Sequence, residues 1–219
     1  MPELTTNDAM LPSPLPADPF ALFSAWLDEA TRAGLTPNPN AMCVATVDEQ
    51  GRPAARIVLC KRVDPELGLV VFFTNYESAK GRHLAHTGYA EAVFLWDAQG
   101  RQARLRGPVL RSPSDESDAY FQSRARASRI AAWASRQSQP IDSREALLAQ
   151  LEQARGRFGD GEIARPPHWG GQRIWPQRME LWISGDARLH DRAVWTRDVT
   201  LNGTDRPETG PWSATRLQP

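Results

Sequence analysis

Between residues 41 and 111, short runs of apolar and β-branched residues follow one another with only tight polar stretches between most of them. Residues 41–47 (AMCVATV) and 55–61 (ARIVLCK) flank DEQGRP, the pattern of a hairpin with a longer loop. Residues 69–74 (LVVFFT) predict a third strand, and residues 90–96 and 101–111 predict a second hairpin around Asp97, Ala98, Gln99 and Gly100. Spacing this dense predicts an antiparallel sheet closing toward a barrel. Within it, Ser78 is placed to cap a short helix running to about His86.

Helical signals flank this region. Asp18 and Pro19 predict an N-cap and first helical position, Phe20, Phe23, Trp26 and Leu27 recur at helical spacing, and Gly34 closes the helix. SPSD at 112–115 starts a helix predicted to reach about Gln122, and residues 128–135 predict a second short one. DSRE at 142–145 has a capping-box pattern ahead of a helix ending near Phe158 and Gly159. After Pro166 and Pro167, strands are expected over 172–174, 178–183, 188–196 and 213–216, with an exposed loop over 199–211. The chain has 219 residues and no internal repeat or linker, so the expected architecture is one α+β domain over 18–219, an antiparallel barrel with flanking helices. Residues 1–17, rich in Pro, Thr, Asn and Ser, read as a mobile lead-in.

Lys+Arg and Asp+Glu both number 26, so the net charge is zero and a polybasic nucleic-acid-binding surface is not expected. No apolar run approaches the ~20 residues of a membrane span, and the N-terminus lacks the pattern of a signal peptide, so a cytoplasmic protein is expected. Cys43 and Cys60 sit in apolar stretches and read as buried thiols; the four histidines have no metal-ligand spacing, and His83 and His86 read as a solvated helix face. Only two of the basic residues, Lys61 and Lys80, are lysines; the rest are arginines. That is either a compositional bias or a sign that two places need a compact ammonium.

Several segments carry groups suited to anions. If residues 188–196 form a strand, Arg188, His190 and Arg192 share a face at about 6.6 Å spacing, which suits a phosphate or a polarised aromatic ring. Arg56 and Lys61 bracket a strand but lie five apart, on opposite faces. Either they serve different ligands, or a bulge or strand end re-aims one. FTNYESAK at 73–80 is a strand–turn–helix junction where free amides, Thr74 and Lys80 could cradle a phosphate. If helical throughout, residues 120–128 put Tyr120, Arg124 and Ser128 on one stripe. Each has a plainer reading beside it, as a solvated cationic face for 188–192, snorkelling edge charges for Arg56 and Lys61, and an ordinary polar helix face for 120–128. There is no catalytic triad or paired-carboxylate motif, so cations and amides far outnumber candidate bases, as in a site that positions an anionic cofactor.

Taken together, DPFALFSAWLDEA, AMCVATVDEQGRPAARIVLCK, FFTNYESAKGRHL, GRQARLRGPV, YFQSRARASRIAAWASRQS, HWGGQRI, MELWISGDARLHDR and the closing RLQP occur in an order that resembles the pyridoxamine (pyridoxine) 5'-phosphate oxidase family, over about residues 18–219. The resemblance implies an FMN-binding split barrel that works as a homodimer with each flavin at the subunit interface. By position, FMN would meet Arg56, Ile57, Val58, Leu59, Cys60, Lys61, Phe73, Thr74, Lys80, Gln102, Gln137, Ser138, Trp182 and Arg192. The substrate phosphate would meet Lys61, Tyr120, Arg124 and Ser128, while Arg188 and His190, the implied catalytic pair, would lie against the substrate ring. Sharing one pocket between two chains would also account for Arg56 and Lys61. The chain departs from the family pattern at Ala79, where many members carry an Arg, at Phe73, a frequent Tyr, and in lacking an N-terminal Arg-Arg-Glu-Tyr stretch.

The implied activity is oxidation of pyridoxamine or pyridoxine 5'-phosphate to pyridoxal 5'-phosphate, with dioxygen reduced to hydrogen peroxide. The competing expectations are a related flavin oxidase acting on another reduced aromatic, of the phenazine-pathway kind, and a non-catalytic module that stores flavin or pyridoxal phosphate.

Overall fold

The computed structural model describes residues 10–219. Helix α1 (Phe20–Ala33) begins where Asp18 accepts a hydrogen bond from the Phe20 N–H at 2.7 Å, and ends at Gly34, whose left-handed backbone lets its N–H reach Ala30 O. Strands β1 (Ala41–Val47) and β2 (Pro53–Leu59) form the expected hairpin, followed by β3 (Arg62–Asp64), a short strand not foreseen, and β4 (Leu69–Asn75). Helix α2 (Ala79–Thr87) starts on the Ser78 cap. Next come β5 (Tyr89–Trp96) and β6 (Arg101–Arg111), then α3 (Ser114–Ser123), α4 (Arg126–Ala134) and α5 (Arg144–Phe158). Ser143, and not Asp142, caps α5, accepting from the Ala146 N–H at 3.1 Å. The chain closes with β7 (Trp169–Ile174), β8 (Arg178–Ile183), β9 (Asp191–Thr196), the small β10 (Val199–Thr200) and β11 (Glu208–Thr209) ladder, and β12 (Ser213–Leu217).

The main path of the antiparallel sheet runs β12-β9-β8-β6-β5-β1-β2, while β3, β4 and β7 form a second lobe joined through β6. The first part of β6 pairs with β8 and its last residues pair with β7. The switch falls at Gly107 and Pro108, where a Cβ on residue 107 would lie 2.0 Å from Trp175 O. A second switch lies after β2, where the Cys60 N–H donates to Asn40 O and the Lys61 N–H donates to Val71 O. The chain thus passes from one lobe to the other between adjacent residues, which gives a split barrel.

Alternation drives the packing. Met42, Val44 and Thr46 of β1 and Ala90, Ala92, Phe94 and Trp96 of β5 point inward. Helix α1 covers this core, with Phe23 edge-on to Phe94 at 5.1 Å and Trp26 edge-on to Trp96 at 6.3 Å. A second apolar cluster, with Phe121, Ile130, Ile163 and Trp169, lies under α3–α5.

Of the lead-in expected over 1–17, residues 1–9 lie outside the described residues, and the rest is held on the sheet. Leu11 is buried, its N–H donates to Asp191 at 2.7 Å, and Trp195 Nε1 donates to Pro16 O at 2.8 Å.

Two local expectations are corrected. Arg188 and His190 are not on a strand: β9 begins only at Asp191. Ala187 and Arg188 have φ of 51° and 66°, and the 184–190 segment folds back so tightly that a Cβ on Gly185 would lie 2.1 Å from Leu189 O. Nor do residues 120–128 form one helix. The Ser123 hydroxyl donates to Tyr120 O at 2.8 Å, taking the carbonyl that the Arg124 N–H would need in a continuing helix, and that N–H turns to Phe121 O. Arg124 is extended, and α4 starts afresh from Ala125 O.

Candidate active site

The end of β2, the end of β4, the start of α2 and the α3–α4 break surround a cavity of about 740 Å³. Arg56, Lys61, Lys80 and Arg124 line it, and no Asp or Glu does. The strand end after Leu59 turns Lys61 onto the same cavity as Arg56, which resolves their opposite parity within one chain. The helix break serves Tyr120, Arg124 and Ser128 similarly: all three line the cavity without sharing a stripe.

Around Lys80 the geometry is closely tied. Its Nζ donates to Ser78 Oγ at 3.1 Å and to Gln137 Oε1 at 3.0 Å, and Thr74 Oγ1 also reaches Gln137 at 3.5 Å. The first turn of α2 folds so closely onto the end of β4 and the turn after it that a Cβ on Gly81 would lie 2.8 Å from Asn75 O and 2.1 Å from Tyr76 O. Burial, with repulsion from Arg56, lowers the Lys80 ammonium from its ordinary 10.5 to about 8. Burial likewise lowers Arg56, whose Nη1 donates to Val44 O at 2.9 Å and Thr46 Oγ1 at 2.7 Å without meeting a carboxylate. Beside Lys80 stands Ala79; Arg56 is the guanidinium that faces the ammonium here.

Arg124 is also lowered by burial, and its Nη1 is buried without a hydrogen-bond partner. Phe73 and Tyr120 stack at 3.9 Å on the same wall, with Trp169 at 5.6 Å from Phe73 and nearly parallel to both. The cavity therefore offers uncompensated positive charge, free donors and a flat aromatic wall. These features fit a phosphate-bearing aromatic compound and would hold a phosphate by charge-assisted hydrogen bonds.

Of the residues expected to meet cofactor or substrate, Arg56, Ile57, Val58, Leu59, Lys61, Phe73, Thr74, Lys80, Tyr120, Arg124, Ser128, Gln137 and Ser138 line this cavity. Cys60 does not; it is buried, its Sγ donates to Arg62 O at 3.3 Å, and burial pushes its thiol up to about 11. Gln102, Trp182, Arg188, His190 and Arg192 are also absent from its lining. Gln102, Trp182 and Arg192 instead sit side by side across β6, β8 and β9, in register. Arg192 donates to the buried Glu180 at 2.7 Å and to Gln218 O at 3.0 Å. His190 packs 4.6 Å from Trp182, and its Nδ1 accepts the Gly185 N–H at 3.1 Å; Arg188 is exposed. One chain thus carries two groups of candidate residues in separate places.

Trp169, Asn75 and Ser135 line the cavity but were not anticipated. The signal available for Trp169 was the Gly-Gly pair after it. Those glycines let β7 press on its neighbours, since a Cβ on Gly170 would lie 2.0 Å from Tyr76 Oη. His83 Nδ1 lies 3.0 Å from Thr46 Oγ1, so that face of α2 packs on β1 while His86 is exposed. Among the described residues no three His, Cys, Asp or Glu side chains gather as a metal site, and no helix is long and apolar enough to cross a membrane.

Residues 27–158 match the family model described as pyridoxamine 5'-phosphate oxidase. Residues 169–219 match the pyridoxine 5'-phosphate oxidase C-terminal dimerisation region, which supports a homodimer. The chain is 50% identical over 203 residues to a pyridoxine/pyridoxamine 5'-phosphate oxidase of Burkholderia lata, covering 92% of this chain and 89% of the relative. It is 50% identical over 202 residues to the protein of the same name in Burkholderia multivorans, with the same shares covered. Among solved structures, PhzG from Burkholderia lata 383 in complex with tetrahydrophenazine-1-carboxylic acid superposes with TM-score 0.83 at 31% identity, covering 97% of this chain and 98% of that one. A pyridoxamine 5'-phosphate oxidase-related, FMN-binding protein of Nostoc punctiforme superposes with TM-score 0.67 at 17% identity, covering 94% and 100%, a likeness of fold. By its sequence matches over most of its length, the chain belongs to the pyridoxamine 5'-phosphate oxidase family.

Proposed function

We propose that the protein is an FMN-dependent oxidase converting pyridoxamine or pyridoxine 5'-phosphate to pyridoxal 5'-phosphate, as a cytoplasmic homodimer. The observation that carries this reading is the cavity bearing four cationic side chains and no carboxylate. Buried like charges repel, so such a cavity is stable chiefly when anions fill it. FMN held there would supply a two-electron acceptor for oxidation at the substrate C4' carbon, with dioxygen as the final oxidant giving hydrogen peroxide and, for the amine substrate, water replacing the nitrogen, which leaves as ammonia.

The chain's own part is positioning. Arg56, Thr74, Lys80, Gln137 and Ser138, with the backbone of 56–61, would hold FMN. Lys61, Tyr120, Arg124 and Ser128 would hold the substrate phosphate. Gln102, Trp182 and Arg192 from the second chain would complete the flavin site, with Arg188 and His190 against the substrate ring. His190 already accepts a backbone N–H at Nδ1, so the neutral ring carries its proton on Nε2. Such a ring donates from Nε2 and orients, and is not free to act as the base there. Arg188 would fix the substrate ring over the flavin, a contribution of orientation.

The similarity to PhzG favours a second reading, an oxidase for a reduced tricyclic aromatic. The higher identity to relatives named for the phosphorylated vitamin, and the four-residue phosphate set, favour the first. A storage role is disfavoured because holding a ligand has no need of Arg188 and His190. Peroxide production with pyridoxamine phosphate, pyridoxine phosphate, their unphosphorylated forms and a dihydrophenazine carboxylate, assayed side by side, separates the readings. Turnover confined to the phosphorylated pair is expected. Turnover of the dihydrophenazine alone would overturn the assignment.

A further inference from the structure

Trp169 is nearly buried at the first position of β7, opposite Asn75, and its backbone carbonyl accepts from Arg165 Nη1 at 2.7 Å. The Arg124 guanidinium carbon lies 4.7 Å from the centre of its ring, and the Tyr120 ring lies parallel to it within 4° at 6.2 Å. We propose that Trp169 is a positioning residue that holds Arg124 and Tyr120 aimed at the substrate phosphate, an inference that rests on the reading of the cavity given above.

Because the helix is broken at Arg124, the backbone there does not fix this side chain as a helix interior would. Among the described residues no carboxylate pairs with Arg124. A carboxylate would hold the guanidinium but occupy its donors and cancel its charge. An aromatic face holds the cation through its quadrupole and leaves the in-plane N–H groups free for an anion. The orphaned, buried Nη1 is the donor left over by this arrangement. The same indole continues the stack of Phe73 and Tyr120, so one side chain braces both phosphate ligands.

The test compares Trp169→Phe with Trp169→Leu, each alone and combined with Arg124→Ala, in the flavin-loaded dimer. Readouts are KM and kcat for the two phosphorylated substrates, and the Kd for pyridoxal 5'-phosphate by equilibrium dialysis. Trp169→Leu is expected to raise KM and Kd roughly tenfold while kcat changes by less than about threefold, and Trp169→Phe to recover most of the loss. Combined with Arg124→Ala, Trp169→Leu should cost clearly less than it does alone, because the part that runs through that arginine is already lost and only the part that runs through Tyr120 remains. Unchanged KM and Kd in Trp169→Leu, or a full additional penalty on top of Arg124→Ala, would overturn the inference. If Trp169→Leu fails to fold, Trp169→Met against Trp169→Phe makes the same comparison of a non-aromatic with an aromatic side chain. A wild-type protein that neither binds pyridoxal 5'-phosphate nor oxidises the phosphorylated substrates would overturn the cavity reading and this inference with it. A wild type that does both, beside an unaffected Trp169→Leu, overturns this inference alone.

Discussion

Lys80 shows how a single residue turns burial into ligand preference. Its ammonium is held down to about 8 by burial and by Arg56. Below that pH it is protonated in both folded and unfolded chains, and the empty protein bears the full cost of burying the charge. Between about 8 and the ordinary 10.5 the folded chain releases its proton first, so the stability of the empty protein should rise with pH through that window. Affinity for a phosphate dianion should move the opposite way, because the anion needs the ammonium. Flavin retention after gel filtration is therefore expected to fall as pH climbs past 8, and Lys80→Ala to retain little flavin at any pH. Flavin content equal to wild type in Lys80→Ala would remove Lys80 from the cofactor site. Arg188→Ala should behave differently, keeping its flavin but losing most of its peroxide production; near wild-type turnover would refute the orienting role.

Both lysines were conspicuous in the sequence because arginine fills every other basic position, and both line the cavity. Trp169 was not conspicuous. A lone indole between a Pro-Pro break and a Gly-Gly pair has no periodicity to read, and its place in the cavity wall appears only when β7 lies against β4. Arg188 was singled out in the sequence but its conformation was not legible there, since positive φ at Ala187 and Arg188 is imposed by the fold-back of the hairpin and not by local preference.

At the scale of elements, the strands over 41–111 were legible as apolar, β-branched runs set off by short polar stretches; one buried face alternates along β1 and β5, while β4 is buried on both faces. The junctions were not. Switching lobes between Cys60 and Lys61, and breaking the helix at Arg124, both depend on where backbone carbonyls find partners. These junctions aim the cations, so the site lies at the ends of elements more than on them. Helix α2 is the clearest case, since its first turn presses on the end of β4 at Gly81. A methyl there meets backbone atoms that cannot rotate away. Gly81→Ala should cost about 1–3 kcal/mol of stability and shift Lys80 off the cavity. Thermal melting and flavin content should both fall; a variant with wild-type values for both would show that the α2–β4 contact has slack.

For the whole molecule, the separation of the two residue groups is the decisive feature. Cations, Tyr120 and Ser128 line one cavity, while Gln102, Trp182, His190 and Arg192 occupy the β6–β8–β9 face, which continues into the C-terminal region matched as a dimerisation region. Ile57 on the edge strand β2 is 66% exposed at the cavity, an apolar side chain suited to being covered by a second chain. If each site draws one group from each chain, Lys80→Ala and Arg188→Ala should complement one another. Co-expression then gives mixed dimers with one intact site, and roughly a quarter of wild-type activity overall if the chains assort at random. Activity no higher than the two single variants would mean that each chain builds its site alone.

The most direct measurement is made without air. The purified, flavin-loaded protein is mixed with pyridoxine 5'-phosphate in the absence of oxygen, and the yellow flavin absorbance is followed. The expected result is bleaching that is complete with the phosphorylated compound, negligible with pyridoxine itself, and reversed on admitting oxygen as peroxide forms. A protein that stays yellow through the anaerobic mixing, or bleaches equally without the phosphate, would contradict a cationic cavity built to bring a phosphorylated ring to the flavin.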